Sequence, residues 1–233
     1  MDELNCEWGL HGLATLAPIS DAVVIVDVLS FSTAVDIAVA NGASVLPYPW
    51  RDASAEAFAG SKGAMLASAR SAVGEYSLSP ASLESIPRHT ALVLPSPNGS
   101  ALSLRAGTIL TFTACFRNCA AVAAGAARYG RRIAVIPAGE QWSDGSLRPA
   151  MEDLTGAGAV LARLPGRLSL EAELAVAAFE RFRDNLQDAL ARSISGRELL
   201  ERGFARDIEL AAAYGSSAAV PLLQGDRFVN DGG

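Results

Sequence analysis

Lysine and histidine are scarce in this chain of 233 residues: Lys62 is the only lysine, and His11 and His89 are the only histidines. The formal net charge is −6 and the arginines form no basic cluster, which argues against a nucleic-acid partner. Half of the residues are hydrophobic, yet no uninterrupted apolar run reaches the roughly 18–20 residues of a membrane span. The acidic start lacks the basic segment of a signal peptide. We therefore expect a cytoplasmic protein without a membrane partner.

Cysteine is also rare, and its count of three does not fit a disulfide framework. Cys115 and Cys119 are four residues apart, as on one face of a helix, but neither histidine lies near them in the sequence. A thiolate metal site therefore lacks the ligands that it needs, and this spacing is not interpreted as one.

Apolar, strand-like segments alternate with helical patterns from residue 22 to about 165. Residues 22–29 are aliphatic without alternation, which is typical of a central parallel strand. The final third is mainly helical, ending in two short strand-like segments at 220–223 and 225–229. This order predicts an α/β fold: a mostly parallel sheet with flanking helices and a largely helical C-terminal third. We expect one domain over 1–233, with a possible helical appendage at about 165–205.

The most informative segment is the strand that ends at Asp27 and runs directly into the hydroxyl-rich sequence of Ser30, Ser32 and Thr33. In α/β proteins ligands bind where strands end and helices begin. A carboxylate there is a candidate ligand of Mg²⁺ or a catalytic acid, and hydroxyls at a helix start suit a phosphate. The same residues also serve as ordinary helix caps, so both interpretations stay open.

A second polar corner follows the next apolar strand, where Asn98, Gly99 and Ser100 precede a probable helix. Asn-Gly usually marks a turn, but its place before a helix favours an anion-binding corner. Further carboxylates lie at Glu140, after a strand, and at Glu152 and Asp153, where a helix begins. Acids at a helix start favour its positive end, and together with Asp27 these two are candidates for a hard-cation site.

Several familiar sequence motifs are absent from the chain. Haloacid-dehalogenase phosphatases need Asp-x-Asp after the first strand, whereas Asp27 is followed by Val28 and Leu29. Lys62 does not lie in a P-loop frame, and no Gly-x-Ser-x-Gly elbow occurs. Gly156 and Gly158 lie inside a predicted helix, where tight helix packing explains them better than a dinucleotide fingerprint.

The order of these motifs resembles the 2-phosphosulfolactate phosphatase (ComB-like) family. Asp27-Val-Leu-Ser-Phe-Ser-Thr33 is similar to that family's Asp-Val-Leu-Arg-Ala-Thr-Thr, and Asn98-Gly99-Ser100 to its Asn-Gly-Thr. Further matches are Asn41-Gly42-Ala43, Asn118, Ala138-Gly139, Glu152-Asp153 with Ala157-Gly158, Asp207, and Val220-Pro221. The resemblance spans nearly the whole chain.

The resemblance implies an α/β enzyme that uses Mg²⁺ to hydrolyse 2-phospho-3-sulfolactate to 3-sulfolactate and phosphate, a step of coenzyme M biosynthesis. The substrate partner is then a small, anionic phosphorylated acid, and a homo-oligomer is possible. The implied roles fall into three sets. The catalytic set is Asp27, Arg70, Asn98 and Asn118; the substrate-binding set is Ser30, Ser32, Thr33, Gly99 and Ser100; and the metal-binding set is Asp27, Glu152 and Asp153.

Three positions depart from the family pattern: Ser30 stands where the family has Arg, Ala69 where it has Glu, and Leu78 where it has Asn. The loss of charged and polar groups from a site that binds a polyanion would change which substrate is bound or whether it is turned over. Two alternatives therefore remain beside the phosphatase. One is a catalytically degenerate member that binds a phosphorylated or sulfonated acid, and the other is a hydrolase of a different phosphomonoester.

Overall fold

A computed structural model describes residues 3–50, 52–70 and 75–232. The strands of this part of the chain are β1 (Glu3–Cys6), β2 (Ala22–Val26), β3 (Ser44–Tyr48), β4 (Met65–Leu66), β5 (Ala91–Pro95), β6 (Leu110–Ala114), β7 (Ile133–Pro137), β8 (Glu140–Gln141), β9 (Leu147–Arg148), β10 (Arg167–Leu168), β11 (Pro221–Gln224) and β12 (Arg227–Asn230). The α-helices are α1 (Gly9–Leu16), α2 (Phe31–Ala40), α3 (Ala53–Lys62), α4 (Gly99–Arg105), α5 (Cys119–Ala126), α6 (Met151–Leu161), α7 (Leu170–Phe182), α8 (Leu186–Arg192), α9 (Ile194–Glu201) and α10 (Ala205–Ala212).

Ten of these strands form one sheet in the order β10-β1-β7-β2-β6-β11-β12-β3-β5-β4. The five strands from β10 to β6 are parallel to one another, and so are β3, β5 and β4. The hairpin of β11 and β12 joins the two groups through three antiparallel pairings. The two parallel halves therefore run in opposite directions. The predicted α/β fold with a mostly parallel sheet and a helical C-terminal third is confirmed.

Helices cover both faces of the sheet, as its central strands require. Alternate residues of β2 point to opposite faces: Val23 and Ile25 pack with α1 and α4, and Val24 and Val26 pack with α5 and α6. This is why the strand is apolar at every position, and all five of its residues are buried. Within the described residues, no helix is both long and apolar enough to cross a membrane.

Helix α2 is buried almost all round. Its residues from Phe31 to Val39 are inaccessible to solvent or nearly so, and it contacts β3, β6, β11 and β12. A helix can be apolar on every side only when protein surrounds it. The strands from both halves of the sheet provide that surrounding, so α2 fills the concave side of a curled sheet.

The contact between the residues that follow β2 and β5 shows how strongly the sheet curls. Four strands separate β2 from β5, which in a flat sheet would place them about 24 Å apart at the usual strand spacing. Because they run in opposite directions, their ends would also lie at opposite edges. Instead, Gly99, just after β5, contacts Asp27, just after β2, at 2.8 Å. The accumulated twist of neighbouring strands, about 20–25° per step, accounts for such curling.

Some local structure was absent from the sequence interpretation. The strand β1, the helix α1 and the hairpin of β8 and β9 were not predicted. The predicted strand 22–29 ends at Val26, because the next residues form the loop that begins α2. The glycine and prolines of 70–90 predict mainly loop with room for a short helix; the structure has a 3-10 helix there, Pro80–Leu83, and residues 71–74 lie outside the described part.

Candidate functional site

Asp27 lies at the junction of the two sheet halves. Its side chain is 4% exposed, and its carboxylate accepts hydrogen bonds from the backbone N–H of Gly99 at 2.8 Å and of Phe31 at 3.4 Å. The Asp27 amide donates to Oγ of Ser32, which fixes the loop against the first turn of α2. Two backbone donors thus hold the carboxylate where β2 ends and α2 begins.

Gly99 allows the approach of these two loops. A Cβ atom at this position would lie 2.2 Å from Cδ1 and 2.6 Å from Cγ of the Phe31 ring, and 2.8 Å from Oδ2 of Asp27. Any side chain would therefore displace either the buried ring or the carboxylate. The glycine of the Asn-Gly pair serves close contact between two loops, not only a turn.

A second buried carboxylate ties the Asp27 loop to the end of β7. Asp153, at the start of α6, accepts from the amides of Val28 at 2.8 Å and Gly139 at 2.9 Å. Glu152 is buried next to it. The structure thus brings Asp153 to the loop that carries Asp27, and Glu152 lies at the same helix start.

Glu140 is a site residue that the sequence prediction left out of its candidate sets. Its Oε2 accepts a 2.8 Å hydrogen bond from Nδ2 of Asn98, which links the hairpin of β8 and β9 to the corner that carries Gly99. Its position directly after the Ala138-Gly139 strand end was the only signal in the sequence. Predicted Asn98 thereby contacts a carboxylate within the site.

Burial and mutual repulsion raise the pKa values of the carboxyl groups in this site. Burial, and then the charge of Glu140, raise the pKa of Asp27 to about 7 despite the two amide donors. Burial, followed by the charges of Asp27 and Glu152, raises the pKa of Asp153 well above its ordinary value. Burial also raises the pKa of Glu140. The ionised forms of these carboxylates are therefore disfavoured in the protein alone, and a bound cation would stabilise them.

Arg70 is a cation whose charge acts on Asp27. Its Nη2 donates to Oγ of Ser30 at 2.6 Å and to the carbonyl of Leu78 at 3.2 Å. Its Nε lies 3.8 Å from Oδ2 of Asp207. The positive charge of Arg70 opposes, but does not cancel, the effects that raise the pKa of Asp27. Asp207, which the family pattern had matched without a role, in turn accepts from Ser79 Oγ at 2.5 Å. Two of the three positions that depart from the family pattern, Ser30 and Leu78, thus hold this guanidinium.

The predicted phosphate-binding hydroxyls have partners inside the protein. Oγ of Ser32 shares a 2.7 Å hydrogen bond with Thr113, Thr33 donates to the carbonyl of Val28 at 2.8 Å, and Ser100 donates to that of Leu94 at 2.8 Å. All three predicted residues are fully buried. Their bonds fix the loops around Asp27, whereas Ser30 is the predicted hydroxyl that contacts Arg70.

Asn118 is a buried amide with an unused donor. Its Oδ1 accepts from the amide of Cys115 at 2.9 Å, while Nδ2 has no hydrogen-bond partner among the described residues. A buried polar group without a partner costs stability, so such groups are rare in folded proteins. An acceptor supplied by a ligand or by water would satisfy it.

The described residues contain no group of three His, Cys, Asp or Glu side chains arranged to hold a metal ion. The predicted set of Asp27, Glu152 and Asp153 therefore does not form a cage of three. Mg²⁺ commonly takes one or two carboxylates and completes its shell with water and substrate oxygens. The buried carboxylates around Asp27, whose ionised forms a cation would stabilise, fit an ion bound in that way.

Two cavities have site residues in their walls. One has a volume of about 890 Å³ and includes Arg70 and Asp207 in its wall. The other, of about 420 Å³, is bounded by Asn98 and Glu140. These groups of the site thus border open cavities, whereas Asp27 itself is buried and lines neither of them.

The comparisons with known proteins identify the family of the chain. The sequence profile of the family described as 2-phosphosulpholactate phosphatase matches residues 12–226. A Carboxydothermus hydrogenoformans protein named "Probable 2-phosphosulfolactate phosphatase" is 31% identical over 227 residues, covering 89% of this chain and 89% of its own length. The family resemblance predicted from the Asp27 and Asn98 motifs is thereby confirmed, and the chain belongs to the 2-phosphosulpholactate phosphatase family.

Proposed function

We propose that this protein is a Mg²⁺-dependent phosphatase that hydrolyses 2-phospho-3-sulfolactate to 3-sulfolactate and phosphate. The observation that carries the proposal is a buried carboxylate, Asp27, at the junction of two loops, with the guanidinium of Arg70 bound to Ser30 three residues further along the same loop. The name of the family and of the relative supplies the substrate.

The residues divide the work as follows. Asp27 would hold Mg²⁺ together with water and substrate oxygens, and the ion would offset the charge of the phosphoryl group. Arg70 binds a phosphoryl oxygen through its planar fork, for which guanidinium geometry is well suited. Asn118 directs its free Nδ2 donor to an acceptor of the bound ligand. Hydrolysis adds water to phosphorus and breaks the bond to the ester oxygen of the substrate.

The test is phosphate release from 2-phospho-3-sulfolactate by the purified protein, with Mg²⁺ and with EDTA. We expect release with Mg²⁺ and its loss in EDTA. Asp27→Asn should lose at least about 100-fold in kcat while keeping its circular-dichroism spectrum. Asp188→Asn, at an exposed position of α8, is the matched control and should behave as the wild type. Equal activity of the wild type with and without Mg²⁺ would contradict the metal requirement.

A second candidate is a degenerate family member that binds a phosphorylated or sulfonated acid without turnover. The observation in its favour is that Ser30, which stands where the family pattern has Arg, accepts a hydrogen bond from Arg70 through its side chain. Isothermal calorimetry with 2-phospho-3-sulfolactate distinguishes the two. Binding without phosphate release, in the presence of Mg²⁺, would favour the binding protein, and a panel of other phospho-acids would reveal a different substrate.

A further inference from the structure

The 890 Å³ cleft carries several arginines, of which the proposed chemistry at Asp27 uses only Arg70. Three arginines line it, Arg70, Arg202 and Arg206, together with two acids, Glu75 and Asp207. A volume of this size is typical of small-molecule sites.

The three arginines differ in what they already bind. Arg206 donates to Glu84 at 2.8 Å and to Glu209 at 2.9 Å, so two carboxylates offset its charge. Arg70 faces Asp207, but at 3.8 Å, and its Nε has no hydrogen-bond partner among the described residues. Arg202 is exposed and forms no ion pair with any described carboxylate.

Arg70 and Arg202 both contact the ring of Phe204. The guanidinium carbons lie 5.4 Å and 5.5 Å from the centre of that ring, respectively. Burial above all, and also the charge of Arg202, lower the pKa of Arg70. An anion bound by both would offset their mutual repulsion, and guanidinium groups bind oxyanions through paired N–H donors.

We infer that Arg202, with Arg70 and the ring of Phe204, forms a subsite for the sulfonate group of the substrate, and that Arg202 determines the preference for a sulfonated acid. This inference rests on the proposed function. Arg70 links the two ends of the substrate, because its Nη2 donates to Ser30 beside Asp27 while the residue itself lines the cleft. The sulfonate is thereby kept away from the carboxylates around Asp27, which would repel it.

The experiment compares 2-phospho-3-sulfolactate with 2-phospholactate, which has hydrogen in place of the sulfonate. For Arg202→Gln we expect the KM for the sulfonated substrate to rise about tenfold and the preference in kcat/KM over phospholactate to fall by the same factor. The matched control is Arg181→Gln, an exposed arginine 5.3 Å from the ring of Phe182 on α7, outside this cleft. It should keep the wild-type preference.

A binding measurement separates this inference from the proposed function. Calorimetry with 3-sulfolactate requires no turnover, and we expect its Kd to rise about tenfold in Arg202→Gln. If the wild type releases no phosphate but binds 3-sulfolactate through Arg202, the function is wrong and the subsite stands. If Arg202→Gln retains the wild-type preference and the wild-type Kd, or loses equally on both substrates, the subsite is wrong whatever the activity of the enzyme.

Discussion

The backbone N–H of Gly99 donates a 2.8 Å hydrogen bond to Oδ2 of Asp27 across the junction of two oppositely directed sheet halves. This bond joins the loop after β5 to the loop after β2, which are distant both in the sequence and in the order of strands. The predictions below follow from this contact, from the charges around it and from the cations that flank it.

Gly99→Ala should be costly in both stability and activity. Its Cβ would overlap the Phe31 ring, which is fully buried, and press on the Asp27 carboxylate. We expect a loss of about 1–3 kcal/mol in the free energy of unfolding, as for other overpacked sites, together with reduced phosphatase activity. Urea unfolding measures the first and phosphate release the second.

The matched control is Gly60→Ala, within helix α3, where an added Cβ meets nothing within 4 Å. It should gain up to about 1 kcal/mol, because alanine favours a helix over glycine. Equal stability of the two variants would contradict a close approach at Gly99.

The stability of the metal-free protein should fall as the pH rises from 5 to 8. The folded protein keeps a proton on Asp27 up to a pKa of about 7, whereas the unfolded chain releases it near 3.8. The folded state therefore binds more protons between these values, and raising the pH favours unfolding. Asp153 and Glu140, whose pKa values are also raised, act in the same direction.

Unfolding in urea with EDTA, at pH 5 and pH 8, measures this dependence. Asp27→Asn should reduce the difference between the two pH values, whereas the exposed control Asp188→Asn should leave it as in the wild type. A wild type that is as stable at pH 8 as at pH 5 would contradict the raised pKa values.

Arg70 should be replaceable by neither alanine nor lysine. Lysine keeps the charge but cannot reach Ser30 Oγ and the Leu78 carbonyl while also facing Asp207, as the fork of Arg70 does. We expect Arg70→Lys to lower kcat/KM roughly 10–100-fold, the effect of losing hydrogen bonds from a charged group. Arg206→Lys, in the same cleft but paired with Glu84 and Glu209, should stay within about twofold of the wild type. If Arg70→Lys were as active as Arg206→Lys, the planar guanidinium of Arg70 would not be required for activity.

Two ion pairs of nearly equal length should differ in their effect on stability. Arg117 lies 2.7 Å from Asp36, which is fully buried on α2, whereas Arg132 and Asp21 pair at 2.5 Å on the surface. Arg117→Ala leaves a buried carboxylate without its charge partner and should cost about 3–5 kcal/mol. Arg132→Ala should cost no more than about 1 kcal/mol. Thermal unfolding of the two variants measures these costs. Similar losses of stability in both would contradict the expectation that burial decides the effect of an ion pair.

The sequence predicted the repeating pattern of the fold well, because the apolar runs of β2, β5, β6 and β7 are buried on both faces and are recognisable without context. It did not predict β1, a four-residue strand with only alternate positions buried, nor the two-residue strands of the β8–β9 hairpin. The sequence also did not predict the reversal of direction between the sheet halves, because pairing between strands distant in sequence leaves no local periodic pattern.

The candidate site was predictable where a residue type is unusual at its position. Asp27 at the end of an aliphatic strand, Gly99 after Asn98, and Asp153 at a helix start were all identified in this way. The directions of hydroxyl groups were not predictable: Thr33 and Ser100 donate to carbonyls of the chain itself, which depends on the folded path of neighbouring loops. The same holds for the Glu140–Asn98 contact, since it joins residues 42 positions apart.

The hairpin of β11 and β12 has a consequence for how the site is assembled. These two strands come after all the others along the chain, yet they alone connect β6 to β3 within the sheet. All strands of both parallel halves precede the hairpin in the sequence. Until the hairpin pairs with β6 and β3, however, no continuous sheet holds the site residues of the two halves in register. Completion of the chemical centre thus depends on a segment that contributes no residue to the predicted catalytic or metal-binding sets.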